Sequence, residues 1–138
     1  MSFATKLGNL IINIHLKDYK IYKSQEGFRL VRCPLGTGVV DFKSILPFLA
    51  KNSPDAKMVI ELGALEARNI AWLGPDFWSY ISPRTEQEQG AFNDVLDKNI
   101  IEDDGFWRTP WEKEASSEEI STYEIKQLAK SLEYLKNL

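Results

Sequence analysis

The chain has 138 residues, 43% of them hydrophobic and 27% charged, with a formal net charge of −3 and a pI near 5.2. That is the composition of one soluble globular domain, and mixed charge signs without a basic face exclude the electrostatic footprint of a nucleic-acid binder. Cys33, the only cysteine, allows no internal disulfide, the first residues lack the apolar core of a secretory leader, and no run nears the roughly 18 to 20 apolar residues of a membrane span, so the expected location is the cytoplasm.

Residues 2–8 read as the last turn of a helix closed by Gly8, an opening that suggests a chain starting inside a larger architecture. Ile11-Ile12-Asn13-Ile14-His15-Leu16-Lys17-Asp18 follows, a run of stiff branched side chains that favours a strand. Its near-continuous apolar character suits a parallel strand covered on both faces, which places His15, Lys17 and Asp18 at the C-terminal end where parallel α/β folds bind ligands. Residues 19–38 read as a polar loop of roughly 20 residues, long enough to be functional or partly structured, with Phe28–Val31 as a short hairpin arm.

Val39 to Ala50 predicts a helix with Asp41 at its N-cap and a weak point at Pro47, and Asn52-Ser53-Pro54-Asp55 predicts a turn. Met58-Val59-Ile60-Glu61-Leu62-Gly63 predicts a second strand, and strand, helix, strand in this order predicts a parallel crossover unit. A carboxylate among branched apolar residues is costly unless paired, protonated or bound to a cation, so Glu61 requires a partner. Trp72, Phe77, Trp78 and Tyr80 lie within nine residues and read as a packing platform over a barrel end or a subunit contact. Glu86 to about Asn99 predicts a helix with Phe92, Val95 and Leu96 on one face, and residues 102–117 an acidic linker with an apolar clip. Ser116 with Glu119 makes a capping box for a tail helix from about Ser117, whose Ile125, Leu128, Leu132 and Leu135 form a stripe expected to pack on the domain or across a dimer.

The segments Ile14-His15-Leu16-Lys17-Asp18, Pro34-Leu35-Gly36-Thr37-Gly38-Val39-Val40-Asp41-Phe42 and Val59-Ile60-Glu61-Leu62, in this order and spacing, resemble the C-terminal part of the sugar phosphate isomerase/epimerase family with the xylose isomerase-like TIM barrel; Ser131 to Leu135 resembles the end of such proteins. The resemblance implies an α/β fold, the last two strand-helix units of a (β/α)8 barrel followed by a C-terminal helical extension. Residues 1–100 are then a partial barrel, with 101–138 the linker and helix of the same domain. It implies that His15 and Glu61 ligate a divalent metal, Mn²⁺, Mg²⁺ or Co²⁺, that Glu61 also serves as a proton shuttle, and that the substrate is a sugar or sugar phosphate passing through an enediolate. Lys17, Arg29 and Arg32, near the same mouth, are placed to contact substrate oxygens or a phosphate.

The family's other metal ligands, a glutamate and an aspartate on earlier strands, have no counterpart here. A lyase or decarboxylase on the same barrel, and a non-catalytic remnant or assembly subunit that needs a complementing chain and binds no metal alone, are therefore the competing expectations. Read without the resemblance, Glu61 is a carboxylate ion-paired with Lys17 or Arg68, Leu65 to Arg68 a helix start, Gly36-Thr37-Gly38 a turn rather than a phosphate loop, and Cys33 no nucleophile. An open two-stranded sheet would leave unpaired edges, which predicts self-association or poor solubility.

Overall fold

The branched run near the start of the chain does form a strand, and it pairs in parallel with the second one. In the computed structural model, which describes residues 2–61, 66–79 and 85–138, β1 (Asn13–Leu16) and β4 (Lys57–Ile60) are aligned with His15 opposite Val59 and Leu16 opposite Ile60. A short helix, α1 (Ser2–Leu7), and a 3-10 turn (Gly8–Leu10) lead into β1. Helix α2 (Phe42–Asn52) lies between the two strands in sequence; its N-cap Asp41 accepts the Ser44 N–H at 3.2 Å, as its position predicted, and Pro47 sits inside it. Leu16, Leu35 and Phe42 form the buried centre of this half, with Ile14, Ile60 and Tyr134 packed around them.

The barrel expectation fails at the segment between these elements. Residues 19–38 are not a loop: β2 (Asp18–Ser24) and β3 (Gly27–Cys33) form an antiparallel hairpin, extended by β5 (Arg68–Ile70) beside β3 and by β6 (Ile100–Ile101) beside β2. The described residues form a small mixed α/β domain with a two-stranded sheet, β1-β4, and a four-stranded sheet, β5-β3-β2-β6, and no TIM barrel forms among them. Strand β2 was disguised by Lys20, Lys23 and Ser24, which are uncommon in strands. What places it in a sheet is burial on both faces of the hairpin, Ile21 and Phe28 on one and Val31 and Cys33 on the other, while Lys23 reaches solvent near the turn. Arg68, read as the last residue of a helix start over Leu65 to Arg68, opens strand β5 instead; Leu65 itself, like Leu62, Gly63 and Tyr80, lies outside the described residues.

Ile21, Phe28 and Leu96 centre a second core, closed by Phe92, Trp72 and Ile70. Helix α3 (Pro75–Ser79) carries Phe77 and Trp78; Trp72 meets Trp78 edge-on at 6.5 Å and Phe92 at 5.6 Å, so these aromatics are packing. Helix α4 (Glu86–Asn99) buries Leu96 and part of Phe92 but leaves Val95 half exposed, because its buried stripe is narrower than the apolar triplet suggested. Helix α5 (Ser117–Lys136) starts at the expected Ser116–Glu119 box. Its docking face differs from the expected stripe: Leu135 packs on the first core, whereas Ile125, Leu128 and Leu132 are exposed. The helix is turned by polar contacts instead, with fully buried Ser131 accepting the Leu35 N–H at 3.1 Å and donating to the Gln127 carbonyl at 2.8 Å.

Asp18 joins the two halves. Only 2% exposed, its carboxylate accepts the backbone N–H groups of Tyr19 (2.9 Å), Gly36 (3.0 Å), Gly38 (2.9 Å) and Val40 (3.1 Å), which folds residues 34–40 around it. Gly36-Thr37-Gly38 is thus a turn, and its amides are turned inward onto a carboxylate of the chain.

Candidate functional site

Side chains two apart on a strand share a face, so His15 and Lys17 point the same way, and so do Val59 and Glu61 across the ladder. The Leu16 carbonyl accepts the Glu61 N–H at 3.0 Å and extends the parallel register one residue past β4. The result is a cluster at the C-terminal ends of both parallel strands. His15 Nδ1 is 2.7 Å from Glu61 Oε2, Lys17 Nζ is 2.5 Å from Glu61 Oε1, and Arg32, reaching over from β3, brings a guanidinium nitrogen to 3.6 Å of that oxygen. Asn13 Nδ2 stands 3.4 Å from His15 Nε2, so a neutral ring donates from Nδ1 to Glu61 and accepts at Nε2.

The cluster is open, with side-chain exposure of 53% for His15 and 33% for Glu61 but only 12% for Arg32. Hydrogen bonds from Lys17 and then His15, reinforced by the Arg32 charge, hold the Glu61 carboxyl down at about 2. A carboxylate so stabilised is a poor proton acceptor at neutral pH. Because the folded value lies below the ordinary one, the contribution of Glu61 to stability is present above about pH 4 and is lost as the pH falls towards about 2. Carboxyl-carbon NMR titration should give Glu61 a midpoint near 2, and Lys17→Ala should move it up towards the ordinary carboxylate range; an unchanged midpoint in that variant would show that Lys17 does not set it.

Of the residues expected at the site, His15, Lys17, Arg32 and Glu61 come together and Arg29 does not. Arg29 sits on the opposite side of β3 from Arg32 because their spacing is odd; it pairs with Asp103 at 2.6 Å and lies 4.5 Å over the Trp107 ring. Arg68, offered as an alternative partner of Glu61, is instead part of β5. Asn13 is the member that sequence reading missed; its signal was the i, i+2 spacing to His15 on a strand. Burial pushes the Cys33 thiol up to about 11, leaving little thiolate at neutral pH. Among the described residues no group of three or more His, Cys, Asp or Glu side chains gathers, and no helix is long and apolar enough to cross a membrane. No known protein family, curated protein or solved structure matches this chain.

Proposed function

We propose that the chain acts on a sugar or sugar phosphate in the manner of the sugar phosphate isomerases and epimerases, with a divalent metal such as Mn²⁺ shared by His15 and Glu61. The observation that carries this reading is the 2.7 Å approach of His15 Nδ1 to Glu61 Oε2 from two parallel strands. His15 Nδ1 and Glu61 Oε2 would hold the ion in place of their mutual hydrogen bond, and the cation would supply polarisation of a sugar carbonyl, which acidifies the neighbouring C–H. The chain's own groups do the rest: Lys17 and Arg32 neutralise Glu61 Oε1 and face anionic or hydroxyl oxygens of the substrate, and Asn13 orients the His15 ring. The remaining metal ligands come from substrate, water or a complementing chain. A single buried thiol suits a reducing compartment, and the cytoplasm is the proposed location.

A second reading rests on the Lys17 ammonium 2.5 Å from Glu61: the cluster is a structural ion network in a non-catalytic, partner-dependent protein. Calorimetric titration with Mn²⁺ separates the two. The first reading expects binding that His15→Ala/Glu61→Ala loses by roughly tenfold or more, equivalent to about 1.4 kcal/mol, followed by deuterium uptake from solvent beside the carbonyl of a bound ketose. Absence of Mn²⁺ binding, or binding indifferent to that double variant, leaves the structural reading standing.

A further inference from the structure

The Ile12 and Leu16 carbonyls accept the Lys57 and Glu61 N–H groups, so the even-numbered residues of β1 direct their peptide groups to β4. In a strand the odd-numbered ones then point the opposite way. Among the described residues no strand lies beyond β1 on that side, and the backbone groups of Asn13 and His15 have no partner there. Parallel pairs are almost always covered and extended, and a free edge is a template for another strand. From Leu7 to Leu16 no residue is acidic or basic apart from His15, and Leu10 and Ile12 are 74% and 78% exposed beside the edge. The outer edge of β4 differs, since Asp55 and Lys57 bring charge to its start.

We propose that two copies of this chain join through the free edges of β1, antiparallel about a two-fold axis at Ile14, to make one continuous sheet in the order β4-β1-β1-β4. The register is self-complementary. Asn13 falls opposite the partner's His15 and His15 opposite the partner's Asn13, both hydrogen-bonded pairs that exchange N–H and C=O groups. Ile14 falls opposite the partner's Ile14 and Ile12 opposite the partner's Leu16, apolar on apolar, while Lys17 falls opposite the partner's Ile11, so no like charges face each other. This pairing also brings the partner's Asn13 beside His15, so the dimer edge runs through the candidate site. The proposal does not depend on metal binding, and a metal titration leaves it untouched.

Sedimentation velocity over a concentration series of the full chain tests it. The wild type should show a monomer–dimer equilibrium. Asn13→Pro deletes the outward N–H, and with it the Asn13 amide beside His15, leaves the β1-β4 ladder whole, and should weaken the dimer roughly tenfold or more with the far-ultraviolet spectrum unchanged. Ile12→Lys places a charge on a side chain already in solvent and should do the same, deciding the matter if the proline variant does not fold. A wild type that stays monomeric, a dimer indifferent to both variants, or one dissociated only by Leu128→Glu on α5 would each overturn the proposal.

Discussion

Replacing Asp18 with alanine is expected to destabilise the protein by about 3 to 5 kcal/mol, a large share of the roughly 5 to 15 kcal/mol that holds an ordinary domain folded. Four backbone N–H groups converge on its carboxylate, and its removal orphans all of them in a site only 2% exposed. Asp18→Asn keeps the size but offers one acceptor oxygen and directs an NH₂ at amides that also donate, so it should recover only part of the loss. Urea titration followed by Trp fluorescence measures both; an alanine variant within about 1 kcal/mol of wild type would mean that residues 34–40 hold their shape without the carboxylate.

Gly36→Ala is expected to cost about 2 to 4 kcal/mol for two independent reasons. Its backbone lies at φ +78°, a left-handed conformation that side chains disfavour, and an added Cβ would collide with the Tyr134 ring of α5. Trimming the ring distinguishes them: in a Tyr134→Ala background the collision disappears and only the backbone strain of about 1 to 2 kcal/mol should persist. Full additivity of the two substitutions would show that the ring and the glycine do not touch in solution. Gly38 is constrained differently, by close approach to Asp18 and the Tyr19 carbonyl.

What the residues disclosed, and what they hid, divides along physical lines. The parallel pair β1-β4 was readable because branched apolar runs leave few alternatives, and the helix caps at Asp41 and Ser116 because a short polar side chain before a helical stretch has a local job. The His15–Glu61 approach was also readable, since an isolated carboxylate in an apolar run must find a partner. The hairpin β2-β3 was hidden by its lysines, which a strand tolerates where the ammonium end reaches solvent beside a buried neighbour. The barrel expectation failed with it, because a parallel pair and a helix are common to many α/β arrangements and the segment that distinguishes them was taken for a loop. Asp18, the most heavily hydrogen-bonded carboxylate described, reads in the sequence with His15 and Lys17 as a group at the ligand-binding end of the first strand, whereas it opens β2 and is buried on backbone amides. Its partners are backbone amides up to 22 residues away, which leave no mark on residue type. The orientation of α5 was hidden for a similar reason: a serine hydroxyl and a glycine contact turned the helix, and neither registers in a hydrophobic stripe.

Strand β1 ends at Leu16 and β2 begins at Asp18, so the chain crosses from one sheet to the other through Lys17 alone. His15 and Glu61 belong to the first sheet and Arg32 to the second, while the Lys17 side chain closes on Glu61 from the crossing point itself. The cluster therefore lies across a joint. A rotation of one sheet against the other would change the Arg32–Glu61 separation, already the longest in the group at 3.6 Å, so the cluster reports on how the two sheets are set against each other.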